Sequence, residues 1–96
     1  MPAYIIADVT TTDQAAMDEY RKQVPATVAK YGGRFLVRGG AHETVEGTWK
    51  PSRLVIIEFP SLARAKEWYD CAEYKDPKDL RIKAGRTNLV MVEGVS

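Results

Sequence analysis

The sequence has little of the chemistry that marks most metal, disulfide and nucleotide sites. It contains one cysteine, Cys71, and one histidine, His42, among its 96 residues. A single cysteine cannot form an intramolecular disulfide, which favours a reducing compartment, and we expect a cytoplasmic protein. A single histidine excludes a multi-histidine metal site within one chain. No zinc spacing, Ser-His-Asp arrangement, dinucleotide fingerprint or P-loop occurs, so we expect no metal and no cofactor.

The chain also lacks an excess of charge and long apolar runs. The 14 Lys and Arg residues are interspersed with 13 Asp and Glu residues, so no basic surface is expected and nucleic acid is not an expected partner. No apolar run approaches the roughly 20 residues that cross a bilayer, and residues 1–8 carry neither a basic leader nor a signal-length apolar run. We expect a soluble, single domain over residues 1–96 with no membrane partner.

Four segments have the composition of strands, because β-branched and aromatic residues dominate them. They are residues 3–10, the segment from Arg34 to a bend at Gly39-Gly40, Arg53–Phe59 and Asn88–Val92. The second strand can resume through His42 to Glu46, an alternative that the pattern leaves open.

Apolar residues at spacings of three and four predict two helical segments between the strands. The first has the inward positions Met17, Tyr20, Val24, Val28 and Tyr31, and the second has Leu62, Ala65, Trp68 or Tyr69, and Ala72. Pro25 predicts a kink or a restart near Val24. Asp76 and Pro77 predict a separate short helix over residues 78–84. The order β, α, β, β, α, β is typical of an α+β, ferredoxin-like fold with a four-stranded antiparallel sheet.

Two pairs of glycines punctuate the segment Tyr31-Gly32-Gly33-Arg34-Phe35-Leu36-Val37-Arg38-Gly39-Gly40. The first pair suits a helix end, and the second suits a β-bulge or sharp bend. Together with residues 53–61 and the ending Val92-Glu93-Gly94, this segment resembles the domain of unknown function 1330 family, small members of the dimeric α/β barrel superfamily. The resemblance covers nearly the whole chain and implies protomers that pair as a dimeric α/β barrel. It transfers no catalytic residue.

The superfamily that the chain resembles includes haem-degrading and antibiotic-biosynthesis monooxygenases, muconolactone isomerases and ligand-sensing dimers. Haem-degrading members share an asparagine on the first strand and a tryptophan and histidine on the second helical segment. Here Trp68 is present, but the first strand has Asp8 and residues 61–85 contain no histidine. This departure argues against haem chemistry.

Three predicted strands are apolar on both faces, which indicates a sheet that is covered on both sides. They carry Tyr4-Ile5-Ile6-Ala7, Leu54-Val55-Ile56-Ile57 and Leu89-Val90-Met91-Val92. Right-handed crossovers place both helical connections on one side of the sheet. The other side is therefore expected to pack against a second copy, which gives a homodimer whose stacked sheets enclose a lumen.

Four charged residues interrupt the first three predicted strands, namely Asp8, Arg34, Arg38 and Glu58. Alternation places all four on the lumen face. Antiparallel pairing brings Arg34 close to Glu58 at one end, and Arg38 close to Asp8 at the other. Structural ion pairs and ligand recognition both fit this pattern. For recognition we favour Arg38, because a guanidinium at a glycine bend can clamp a carboxylate. An acid beside an apolar lumen can have a raised pKa and act as a base.

Tyr74 and Arg81 flank Pro77 and can close one mouth of the cavity, so they join Arg38 as candidate ligand-binding residues. Asp8, Glu58 and His42 are the candidate proton acceptors, His42 because its pKa can lie near neutrality. No motif decides whether the protein is an enzyme.

We therefore expect a small cytosolic homodimer that binds a small apolar or carboxylate-bearing molecule in a cavity beside the sheet. One alternative is a cofactor-free monooxygenase or isomerase in which an acid or His42 accepts a proton. The other is a non-catalytic structural or stress-associated module.

Overall fold

The fold is a four-stranded antiparallel sheet with three helices, in a computed structural model that describes residues 1–95. The elements in chain order are β1 (Ala3–Thr11), α1 (Gln14–Lys30), β2 (Arg34–Arg38), β3 (Leu54–Phe59), α2 (Leu62–Asp70), α3 (Ala72–Ala84) and β4 (Gly85–Glu93). The strands lie in the order β2-β3-β1-β4, and every neighbouring pair is antiparallel. This is the ferredoxin-like α+β arrangement that the order of elements predicts.

The main core lies between one face of the sheet and the helices. Its largest fully buried side chains are Trp68, Tyr74, Phe59, Ile5, Met17 and Val28. Full burial of a large apolar side chain stabilises the fold by about 1.5–3 kcal/mol, so these side chains hold the helices against the sheet. Trp68 and Tyr74 stack with their ring centroids 4.1 Å apart, which joins α2 to α3.

Helix α1 is capped at both ends and stops just before the predicted glycine pair, Gly32-Gly33. The side chain of Asp13 accepts a hydrogen bond from the amide of Ala16 at 3.1 Å, which caps the first turn. At the other end Gly32 has a φ of +79° and donates to Ala29, as in a glycine-terminated helix. The predicted restart near Val24 is wrong, because α1 runs unbroken through Pro25.

The division of the second helical segment differs from the prediction. The helical conformation is interrupted at Cys71, whose backbone is extended. Helix α3 then runs continuously through Pro77. The predicted separate helix over residues 78–84 is therefore wrong, although the predicted end near Gly85 is correct. The amide of Cys71 donates to Trp68, and its carbonyl accepts from Tyr74. Backbone groups at the break are thus satisfied, and α3 tolerates the single hydrogen bond that Pro77 cannot donate.

Two further boundaries differ from the sequence expectations. Strand β4 starts at Gly85, three residues before the predicted Asn88. A Cβ atom at Gly85 would lie 2.0 Å from the carbonyl oxygen of Thr10, so the close approach of β1 at this point requires glycine. The connection between β2 and β3 contains no strand over residues 42–46, which leaves a loop of residues 39–53.

The face of the sheet opposite the helices is apolar and uncovered within the protomer. It includes Ile6, Ile56, Val90 and Val92, of which Val90 is 57% exposed and Val92 is 45% exposed. We call this surface the outer face. No helix of residues 1–95 has the length and apolar character needed to span a bilayer.

Candidate functional site

A β-bulge in β2 decides which side of the sheet Arg38 faces. Arg34 lies opposite Glu58 and Phe35 opposite Ile57, but the pairing then shifts by one residue. Arg38 consequently lies opposite Val55, on the helix side of the sheet. The prediction that Arg38 shares the lumen face with Arg34, close to Asp8, is wrong, because one extra residue in a strand inverts the alternation of every residue that follows it.

The guanidinium of Arg38 is held by a backbone carbonyl of α1. Its Nη2 atom donates to the carbonyl oxygen of Arg21 at 2.8 Å. In a regular helix this carbonyl would accept from the amide of residue 25, but that residue is Pro25, which has no N–H. The proline therefore leaves an acceptor free, and Arg38 occupies it. Its guanidinium also lies over the ring of Phe35, 4.6 Å from the centroid.

Arg38 lines a cavity of about 40 Å³ between the helices and the sheet. Most of the wall is apolar and includes Ala7, Met17, Val55 and Leu89. Four arginines also line it, namely Arg21, Arg38, Arg53 and Arg81. None of the cavity-lining residues in the described chain is Asp or Glu. The cavity is thus lined by apolar groups and fixed positive charge.

Arg81 is the most buried of these arginines. The residue is only 5% exposed, and its Nε atom has no hydrogen-bond partner. Within residues 1–95 it forms no ion pair with a carboxylate. Burial lowers the pKa of Arg81, but the phenols of Tyr74 and Tyr20 raise that pKa by more, so the guanidinium stays charged. A buried cation without a counter-ion is costly, and a bound anion would offset that cost.

Tyr20 and Tyr74 add neutral hydroxyl groups to the same wall. Their hydroxyl oxygens are 2.8 Å apart. Burial raises the pKa of Tyr20 well above the ordinary value and also raises the pKa of Tyr74, because a buried phenolate would be poorly solvated. Both phenols are therefore protonated at neutral pH, and suit donation to an acceptor oxygen rather than removal of a proton.

Three arginines gather at the end of the cavity beside β2 and β3. Burial lowers the pKa of Arg53, and the neighbouring charges of Arg21 and Arg38 lower it further. Arg53 also donates to the carbonyl oxygen of Arg38 at 3.4 Å. The three positive charges therefore lie close enough to repel one another, and Arg21 is also paired with Asp18 at 3.7 Å.

The structure brings together the three candidate ligand-binding residues, since Arg38, Tyr74 and Arg81 all line the cavity. Sequence reasoning missed Arg21 and Arg53. Arg21 lies four residues after Met17 on the buried stripe of α1, and that spacing was the signal for it. Arg53 directly precedes the apolar run of β3 but carried no distinguishing pattern.

Asp8 lies on the outer side of the sheet and holds the loop of residues 39–53. Its carboxylate accepts from the indole Nε1 of Trp49 at 3.0 Å and from the amide of Ser52 at 2.9 Å. The hydrogen bond from Trp49 lowers the pKa of Asp8, and that from Ser52 lowers it further, outweighing the opposing effect of burial. The prediction of a raised pKa is therefore wrong for Asp8, because hydrogen-bond donors rather than apolar side chains lie next to its carboxylate.

The other two candidate proton acceptors also lie away from the cavity. Glu58 accepts from Nε of Arg34 at 2.8 Å, which confirms the predicted cross-strand pair. His42 is exposed and bridges its own loop, with Nε2 2.8 Å from the carbonyl oxygen of Pro51. Neither residue, nor Asp8, is among the cavity-lining residues. In the described part of the chain no three His, Cys, Asp or Glu residues are grouped as metal ligands.

Fold and site together define a ferredoxin-like α+β protein with an arginine-lined cavity between helices and sheet. The chain belongs to the family described as domain of unknown function (DUF1330), which it matches over residues 2–95. No protein with a curated description matches its sequence.

Several solved structures share the fold. A protein of unknown function from Rhodopseudomonas palustris superposes with a TM-score of 0.79 at 16% identity, covering 99% of this chain and 83% of that chain. A dimeric ferredoxin-like protein of unknown function from Jannaschia sp. CCS1 gives 0.74 at 14% identity, covering 98% and 100%. SnoaB, a cofactor-independent oxygenase from Streptomyces nogalater, gives 0.64 at 6% identity, covering 99% and 94%. At these identities the likeness establishes the fold alone.

Proposed function

We propose that the protein is a homodimer that binds a small, mostly apolar molecule, and that the cavity between the helices and the sheet holds the carboxylate or enolate group of this molecule. The observation that carries this proposal is the buried guanidinium of Arg81, which has no carboxylate partner and lies on an apolar wall that it shares with Arg38. Charge-assisted hydrogen bonds to an anion would satisfy both arginines.

The apolar part of the wall defines the rest of the ligand. Met17, Val55 and Leu89 offer no hydrogen-bonding side chains, so the carbon atoms next to the acidic group gain by burial against them. One of the two phenols, Tyr20 or Tyr74, donates to a second oxygen of the acidic group, because the proton of the other is used in their mutual hydrogen bond. Binding rather than turnover is proposed, because the candidate proton acceptors lie outside the cavity and both phenols are held protonated.

The dimer is proposed from the outer face. Val90 and Val92 are exposed there beside other apolar residues of β1 and β3, and a second sheet is the simplest cover for such a face. Solved proteins of the same fold from Jannaschia sp. and Bacteroides fragilis are described as dimeric. We also propose that the chain forms one domain and that the protein is cytoplasmic, because a single cysteine favours a reducing compartment.

Calorimetric titration with benzoate and with benzamide tests the anion site, because the two probes share a ring and differ in charge. We expect benzoate to bind at least about tenfold more tightly, as a charge-assisted hydrogen bond implies. The Arg81→Met variant should abolish the preference. Equal affinities in the unsubstituted protein would contradict the proposal.

Sedimentation of Val90→Glu tests the dimer, and Ile82→Glu is the matched control because both residues are 57% exposed. Val90 lies on the outer face and Ile82 on α3. We expect Val90→Glu to weaken association at least about tenfold and Ile82→Glu to leave it unchanged, since only the first buries a charge between sheets. A dimer that survives Val90→Glu would contradict assembly through the outer face.

A further inference from the structure

A second space adjoins the cavity on the far side of Arg81. It is an open groove of about 760 Å³ between α3 and β4, with Tyr69, Ile82 and Met91 on its walls. Arg81 and Leu89 line both the groove and the cavity. These two side chains therefore form a partition between a small enclosed space and a large open one.

The residues that carry buried polar atoms without hydrogen-bond partners all line one of these two spaces. Within residues 1–95 these atoms are Nε of Arg21, Nε of Arg81 and Oγ1 of Thr87. Arg21 lines the cavity, Thr87 lines the groove and Arg81 lines both. Unsatisfied buried polar groups are rare in proteins. An acceptor beside Arg81 would satisfy the charged group that is shared by both spaces.

Size and charge distinguish the two spaces. The cavity, at about 40 Å³, has room for about three water molecules, which is too little for a carboxylate with an apolar body. The groove is large enough for the body. Its wall contributes the charge of Arg86 in addition to that of Arg81, and no acidic residue of the described chain lines it. The groove therefore combines positive charge beside Arg81 with apolar wall at Ile82, Leu89 and Met91.

We propose that the cavity and the groove form one binding channel for an elongated amphipathic carboxylate. The carboxylate contacts Arg81 at the partition, with Tyr74 behind it. The hydrocarbon body lies in the groove against Ile82, Leu89 and Met91. The channel rests on the proposed function, because it takes the anion site at Arg81 as its inner end and adds the site for the ligand's body.

Titration of ¹⁵N-labelled protein with acetate, butanoate, hexanoate and octanoate tests the channel. The Nε–H signal of buried Arg81 reports the carboxylate, and is assigned by its loss in Arg81→Met. We expect all four probes to shift this signal. Affinity should rise by about twofold to fourfold for each added methylene, as burial of hydrocarbon predicts.

The Ile82→Gln variant separates the groove from the anion site. Acetate affinity should be unchanged, whereas octanoate affinity should fall about fivefold, because the polar amide replaces the apolar wall. Val45→Gln is the matched control, since Val45 is 88% exposed on the distant loop, and it should alter neither. The same chain-length dependence in Ile82→Gln and in the unsubstituted protein would overturn the channel but leave the anion site intact.

Two other outcomes have distinct meanings. If acetate and the longer probes all leave the Arg81 signal unchanged, the proposed function itself is wrong. If Ile82→Gln changes the sedimentation of the protein and not its affinity for octanoate, a second copy of the chain occupies the groove, and the channel is overturned.

Discussion

The guanidinium of Arg38 donates to the carbonyl oxygen of Arg21 at 2.8 Å, and this carbonyl is the one that Pro25 leaves without a helical partner. Two features on different elements thus produce one arrangement. The bulge in β2 turns Arg38 toward the helices, and the proline supplies its acceptor. The positive charge then lies on the cavity wall rather than on the outer face.

Arg38→Met should keep the fold and weaken benzoate binding by about tenfold or more, because it removes a charged donor from the cavity. Arg34→Met is the matched control, since Arg34 lies on the same strand but pairs with Glu58 on the opposite face. Calorimetry should show a change of less than about twofold for the control. Equal losses in the two variants would place the ligand elsewhere.

Pro25→Ala should restore an N–H that competes with Arg38 for the carbonyl of Arg21. We expect α1 to gain stability and Arg38 to become more mobile, with weaker benzoate binding. A double-mutant cycle with Arg38→Met measures this competition through denaturant unfolding. The gain from Pro25→Ala should be larger once Arg38 is absent, and an identical gain in both backgrounds would show that the two donors do not compete.

Gly39→Ala should destabilise the fold by about 1–2 kcal/mol, because the residue has a φ of +77° in a region that side chains disfavour. Its Cβ atom would also lie 2.6 Å from Nε of Arg53. The side chain of Arg53, which lines the cavity, should therefore shift. Gly40→Ala is the control, since nothing lies within 4 Å of a Cβ there. Thermal unfolding should show a change of less than about 0.5 kcal/mol for the control, and equal costs would contradict the account.

Asp8→Ala should loosen the loop of residues 39–53 while the sheet stays intact, and the amide of Ser52 should exchange its hydrogen faster. Glu46→Ala, in the same loop, is the control. The Trp49 hydrogen bond lowers the pKa of Asp8 below 3.8. Because the folded pKa is depressed, the stabilisation is present above about pH 4 and is lost as the pH falls through the lowered value. A protection factor for the Ser52 amide that stays unchanged as the pH falls through that value would contradict the assignment.

Most of the fold follows from local composition. The apolar runs of β1 and β3 and the stripe of α1 that includes Met17 and Val24 predicted their elements, because burial and periodicity act within a short segment. The break at Cys71 was not predictable in this way. Its satisfied backbone groups depend on the packing of α3 as a whole, so the local signal of Asp76-Pro77 pointed to the wrong residue.

The site was predictable only in part. Arg38, Tyr74 and Arg81 were identified as candidates, but strict alternation placed Arg38 on the wrong face. A bulge is a property of two paired strands, and the sequence of β2 alone does not reveal it. Likewise, Pro25 leaves the carbonyl oxygen of Arg21 without a helical donor, but only the folded structure shows that Arg38 donates to it.

The most direct test of the account is the position of bound benzoate, measured by nuclear Overhauser contacts between its ring protons and protein methyl groups. We expect contacts with the methyl groups of Leu89, which lie on the helix side of the sheet. Contacts with Ile6 or Val90, on the outer face, and none with Leu89 would contradict it.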